Sequence, residues 1–163
     1  MPVFISHRTV DNEIAKHVAE RLKNHHGIPI YIDDIDQEVR QVQGTAAITA
    51  LLVQRINMCT NLLAIVSENT KGSWWVPFEI GVARQVPRTI TSLTNQGDAS
   101  LPEYLLEWPR LRGDAAIDTF ARIYNEQRRV LTEQVLRNQA PVSRQLGYVD
   151  QFHASLKKAL GQR

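Results

Sequence analysis

The segment Ser73-Trp74-Trp75-Val76-Pro77-Phe78-Glu79 combines aromatic side chains with a single carboxylate. Trp75 and Glu79 are four positions apart, so a helix would place them one turn apart on the same face. Ser73 is a typical N-cap residue and Pro77 is tolerated only near the first turn, so we expect a helix to begin here. A carboxylate beside a flat apolar surface suits a ligand that develops positive charge on a sugar ring.

The elements that would position this segment follow from the apolar pattern of the chain. Five short apolar runs predict strands at 3–5, 28–32, 61–67, 89–93 and 108–111. Helical stripes separate them, the first formed by Ile14, Val18 and Leu22. The alternation of strands and helices predicts an α/β fold, with about five parallel strands, helices on both faces and right-handed crossovers.

The boundaries of the domain follow from the C-terminal third of the chain. A long helix is predicted from Ala115 to Asn138, with Phe120 and Leu131 on its inner face, and Pro141 breaks it. We therefore predict one domain over residues 1–140 and a C-terminal helical extension, 141–163, packed on that same domain.

The carboxyl ends of parallel strands form the edge at which ligands bind in such sheets. The turn Ser6-His7-Arg8, the loop from Asp33 to Gln43 and the connection 67–79 are all predicted to lie at this edge. These three segments therefore supply the candidate site.

Composition narrows the class of function. The chain has 43% hydrophobic and 22% charged residues and a net charge of only +2, which favours neither a nucleic-acid nor a membrane partner. Cys59 is the only cysteine, so no intrachain disulfide forms and a cytoplasmic location is expected. A Gly-x-Gly-x-x-Gly fingerprint and a P-loop are both absent. His25 and His26 have no acidic or cysteine partners at ligand spacing, so no metal site is predicted.

Three motifs in the expected order together resemble the TIR (Toll/interleukin-1 receptor) domain family. Phe4-Ile5-Ser6-His7 followed by Asp11 is similar to its first box. Residues 44–56 before the strand ending in Ser67 are similar to its second helix and third strand. Ser73, Trp75 and Glu79 are similar to its serine, tryptophan and glutamate motif. The resemblance covers about two-thirds of the chain and implies a flavodoxin-like TIR fold.

The resemblance implies an activity on NAD+. Bacterial and plant TIR domains release nicotinamide from NAD+, and Glu79 matches their catalytic glutamate. The chain is most similar to the Thoeris antiphage TIR proteins, which implies self-association and a cyclic ADP-ribose-type messenger that reaches a separate effector. NAD+ is then the substrate, and no cofactor is expected. The loop from Asp33 to Gln43 lacks the motif by which animal receptor TIR domains engage adaptors, which disfavours receptor signalling.

Each candidate residue also has a structural interpretation. Glu79 would stabilise the ribose cation, or it would simply interact with the helix dipole. Trp75 would pack against the nicotinamide ribose or belong to the core, and Phe4 adds apolar surface near Glu79. The other candidates are polar strand-end residues that would either contact phosphate or ribose or form turn caps, and these are Ser6, His7, Arg8, Asp33 and Ser73.

Two further functions stay open at this point. One is a TIR module that only assembles with other proteins, with Glu79 in a structural role. The other is an enzyme similar to nucleoside deoxyribosyltransferases, using the same carboxylate on a different base. Release of nicotinamide from NAD+ separates these functions from the predicted one.

Overall fold

A computed structural model of the chain describes residues 2–32, 45–86, 88–136 and 143–163. Several predictions fall outside these residues: Asp33, the loop that follows it, the start of the second helix at Gly44 and the break at Pro141. The side chain of Leu131 also lies outside the described part of the chain.

One parallel sheet organises the fold, and its strands are ordered β2-β1-β3-β4-β5. This order is the flavodoxin-like arrangement, with its topological switch point between β1 and β3. The predicted α/β class and the five-stranded parallel sheet are therefore confirmed. The strands are β1 (Val3–Ser6), β2 (Ile30–Ile32), β3 (Asn61–Ile65), β4 (Thr89–Leu93) and β5 (Arg110–Leu111).

Five helices pack on this sheet within the described residues: α1 (Asn12–Glu20), α2 (Thr45–Met58), α3 (Trp75–Gln85), α4 (Gly113–Leu136) and α5 (Ser143–Ala159). A π-helical turn, Arg21–His25, continues α1, and Gly27 then turns the chain at φ 63°. Short 3-10 turns lie at Thr9–Asp11, Glu68–Gly72, Asp98–Ser100 and Glu103–Glu107. None of the described helices combines the length and hydrophobicity of a membrane-spanning segment.

Two apolar cores cover the two faces of the sheet. One contains side chains of α1, α4 and α5 packed on Val3 and Ile5, and the other contains side chains of α2 and α3 packed on Phe4. This division follows from the alternation of side chains along a strand. We call the second side the α2/α3 face.

Three sequence predictions need correction. Ile14 is 43% exposed, because Ala15 and Ala19 turn inward beside Val18 and Leu22 instead. The predicted strand at 108–111 shortens to Arg110–Leu111, and Pro109 contributes its carbonyl to Ser92. The second strand begins only at Ile30.

The C-terminal residues pack in the core that contains α1 and α4, and their side chains hydrogen-bond to the backbone of the sheet. Phe152 of α5 is fully buried against Phe120. The backbone N–H of Ile90 in β4 donates to Nε2 of His153 over 2.9 Å, and the N–H of Arg110 in β5 donates to the amide oxygen of Gln162 over 3.0 Å. The C-terminal helical extension therefore provides acceptors for backbone N–H groups that the short strand β5 does not pair.

Candidate functional site

Glu79 lies one turn into α3 and has no solvent-exposed surface. The helix begins as predicted, because the hydroxyl of Ser73 accepts the N–H of Val76 over 3.3 Å. Pro77 occupies the first turn, where its missing N–H costs no intrahelical bond. Glu79 is therefore enclosed near the start of a helix that packs on the α2/α3 face of the sheet.

The end of β1 brings polar groups to the same side of the sheet. Phe4 belongs to the core beneath α3, and Ser6 is two positions along β1, so both side chains share that face. Ser6 pairs in register with Ala64 of β3 and is 1% exposed. Within the described residues, the Ser6 hydroxyl has no hydrogen-bond partner.

His7 and Arg8 are held by neighbouring groups. The Nε2–H of His7 donates to the side-chain oxygen of Asn12 over 2.6 Å, which leaves Nδ1 buried without a partner among the described residues. Arg8 donates from Nη1 to the carbonyl of Asn69. The hydrogen bond of Arg8 is thus internal, whereas His7 keeps one free ring nitrogen.

The aromatic residues divide between core and surface. Trp75 is half-buried against the α2/α3 core and meets Phe78 edge to face, with ring centroids 5.9 Å apart at 89°. Trp74 is 90% exposed. Phe4 is fully buried and stacks on Tyr31, so its ring has no exposed surface for a ligand.

Asp11 places a buried carboxylate between the turn after β1 and the connection before α3. In the sequence it was only one residue of the first-box motif. Asp11 is 3% exposed and accepts the Ser67 hydroxyl over 2.8 Å and the Asn69 amide over 2.9 Å. The first box shows the spacing between Ser6 and Asp11 in the sequence. It does not show the hydrogen-bond donors of Asp11, which are more than fifty positions away. The carboxylate joins the turn after β1 to the connection before α3.

The comparison with protein families covers the sheet and α3. Residues 3–132, most of the chain, match the family model described as the TIR domain. The chain belongs to the TIR domain family. TIR domains as a class serve as NAD+ hydrolases or as signalling modules, and they self-associate. A search of curated proteins found no match.

This TIR domain also carries an open groove on the other flank of α3. The groove has a volume of about 290 Å³ and lies between α3 and residues 96–105. Its lining is mixed: apolar side chains such as Val76, Ile80 and Leu101 lie beside polar ones that include Ser67 and Ser73. Neither Glu79 nor Trp75 lines it. The open cavity and the buried carboxylate are therefore on different flanks of one helix.

Other reactive groups of the TIR domain are accounted for by packing. Cys59 is buried in the α2/α3 core, and burial raises the pKa of its thiol to about 11. Across the described ranges, no cluster of three or more His, Cys, Asp or Glu side chains could hold a metal ion. His26, which has no acidic neighbour in sequence, contacts Asp118 of α4 over 2.8 Å.

Proposed function

We propose that this TIR domain cleaves the bond between nicotinamide and ribose in NAD+, with Glu79 as the catalytic carboxylate. The observation that supports this most is the complete burial of Glu79 in α3, the helix that packs with Phe4 of β1 in the core of the α2/α3 face. A carboxylate in such a water-poor position interacts more strongly with a nearby cation than it would in solvent.

The reaction needs few protein groups. As the C1′–N bond breaks, its electron pair moves to the pyridinium nitrogen, and nicotinamide leaves as a neutral molecule without needing a proton. The ribose becomes an oxocarbenium-like cation, which Glu79 stabilises while it accepts hydrogen bonds from the ribose hydroxyls. One well-placed carboxylate therefore provides the main catalytic contribution.

Neighbouring groups would orient the dinucleotide. The hydroxyl of Ser6 and Nδ1 of His7 have no partner among the described residues, so the hydroxyl can donate to a phosphate oxygen and Nδ1 can accept a ribose hydroxyl. Trp75 would provide a flat surface beside the reacting ribose. Arg8 would have to exchange its bond to Asn69 for a phosphate, and Asp33 stays a prediction for the adenine ribose.

Access to Glu79 is the limiting feature of this arrangement. Because its carboxylate has no exposed surface, the groups that cover it must move before a substrate reaches it. TIR domains self-associate, and a neighbouring copy is a natural source of the free energy for that movement. We therefore propose that assembly of the domain activates cleavage.

The product follows from what traps the cation. In an enclosed site C1′ is attacked either by an internal hydroxyl, which loses its proton, or by adenine N1, in which case the 6-amino group loses the proton. Either attack gives a cyclic ADP-ribose species. Such a product suits a diffusible messenger that acts on a separate effector, as in Thoeris-type antiphage defence within the cytoplasm. Mass spectrometry distinguishes it, because the cyclic species is one water lighter than linear ADP-ribose.

A non-catalytic assembly module is the second candidate. The exposed indole of Trp74 supports it, because large aromatic side chains at 90% exposure are typical of protein contacts. Nicotinamide release from NAD+ by the purified domain decides between the two. A panel of nucleosides tests the remaining alternative, a deoxyribosyltransferase-like activity.

A further inference from the structure

Asp11 occupies the junction between the two segments that build the proposed site. It closes the 3-10 turn Thr9–Asp11, and its own N–H donates to the carbonyl of Arg8 over 2.8 Å. Both of its carboxylate oxygens accept hydrogen bonds from the connection before α3, one from Ser67 and one from Asn69. Its buried carboxylate is therefore engaged on both oxygens by protein donors.

The two donors, Ser67 and Asn69, belong to a turn that has its own internal hydrogen bonds. Ser67 accepts the N–H of Asn69 over 3.1 Å, and its own N–H donates to the Thr70 hydroxyl over 3.0 Å. The carbonyl of Thr70 then accepts the N–H of Ser73 over 2.9 Å. Ser73 caps α3, so a continuous series of hydrogen bonds leads from Asp11 to the first turn of the helix that carries Glu79.

We propose that Asp11 is a positioning residue for Glu79, an inference that rests on the proposed NAD+ cleavage. By joining the β1 turn to the β3–α3 connection, it fixes Glu79 relative to Ser6 and His7. Arg8 strengthens the same junction through the carbonyl of Asn69. Small displacements of a catalytic group lower the rate strongly, so a residue that never touches the substrate can still govern turnover.

The test compares Asp11→Ala with Asp118→Asn at a temperature where circular dichroism shows that both variants are folded. Asp118 is the control, because its partly exposed carboxylate joins the chain after α1 to α4 through Arg21 and His26, on the opposite side of the sheet. We expect kcat for nicotinamide release to fall at least about tenfold in Asp11→Ala, with KM changed less than about threefold. Asp118→Asn should keep kcat within about twofold of wild type.

Two further variants show whether Asp11 acts through its donors. Asp11→Asn keeps one acceptor oxygen and should recover part of the lost kcat. Replacing both Ser67 and Asn69 by alanine should lower kcat as Asp11→Ala does, and the triple variant should be no slower. Additive losses would overturn the inference, because they would mean that Asp11 acts independently of this connection.

Amide hydrogen exchange provides a readout that does not depend on activity. Residues 68–76 should exchange faster in Asp11→Ala and be unchanged in Asp118→Asn. Wild-type protein that releases nicotinamide, together with a folded Asp11→Ala variant of normal kcat or unchanged exchange, would overturn this inference alone. Wild-type protein that releases no nicotinamide would overturn the proposed function, and the positioning role with it.

Discussion

The two flanks of α3 offer opposite combinations of access and chemistry. One flank carries Glu79, whose carboxylate is completely enclosed, and the other borders an open groove of about 290 Å³ with a mixed apolar and polar lining. This groove is therefore separate from Glu79, the group best suited to stabilise a ribose cation. If Glu79 is the catalytic carboxylate, as we propose, the substrate reaches it only after the groups that enclose it have moved.

Replacing Glu79 with glutamine should have the largest effect. The change preserves volume and hydrogen bonding but removes the negative charge that faces the cation. Loss of about 3 to 4 kcal/mol of transition-state stabilisation corresponds to a hundredfold to thousandfold lower rate of nicotinamide release. A folded Glu79→Gln protein with normal turnover would assign catalysis to some other group.

The stability of the fold should depend on pH through His153. Burial lowers the pKa of His153 to about 4, and its neutral Nε2 accepts the N–H of Ile90. Unfolding restores a pKa near 6.5, so the stabilisation is complete above pH 6.5 and is lost as the pH falls towards 4. Nearby Asp150 opposes this shift, whereas Lys157 and Arg84 reinforce it.

Urea unfolding at pH 7.5 and pH 5 measures this effect. We expect His153 to contribute about 2 kcal/mol less to the free energy of unfolding at pH 5. His153→Gln keeps an acceptor that does not titrate, so the pH dependence of this variant should be flatter by that amount. Equal pH dependence in both proteins would mean that His153 titrates normally in the folded state.

Protein concentration should change turnover if assembly uncovers Glu79. The rate of NAD+ cleavage per molecule should rise at least about tenfold between dilute and concentrated protein, as the population of assembled molecules grows. Light scattering on the same samples reports the assembly. Constant specific activity across a hundredfold dilution would count against this mode of activation.

Filling the open groove should have the smallest effect. Ser100→Leu places a larger side chain in the groove, away from the flank that carries Glu79. We expect nicotinamide release to stay within about twofold of wild type, as for surface substitutions in general. A large loss of kcat in this variant would show that the groove, not the enclosed flank, receives the substrate.

Much of the fold could be predicted from the sequence because its signals are local. The buried strands are short apolar runs, and Ser73 with Pro77 marks the start of α3. Glu79 also stood out, because its spacing from Trp75 is a single helical turn. These features depend on neighbouring residues, whose periodicity a sequence displays directly.

The remaining features depend on partners that are distant in the chain. Asp11 meets Ser67 across 56 positions, and Ile90 meets His153 across 63. No periodicity relates such pairs, so their contacts appear only when the sheet has formed. The prediction for Ile14 was wrong for a local reason: the buried face of α1 includes Ala15 and Ala19, whose small side chains give only a weak apolar signal in the sequence.

The most direct test of the account is mass spectrometry of NAD+ incubated with concentrated wild-type protein, with Glu79→Gln as the control. The account predicts that wild type releases nicotinamide together with a product one water lighter than linear ADP-ribose, and that the control releases neither at a comparable rate. Linear ADP-ribose alone would contradict the messenger proposal. Folded, assembled wild-type protein that releases no nicotinamide would contradict the central claim, that Glu79 makes this TIR domain an NAD+-cleaving enzyme.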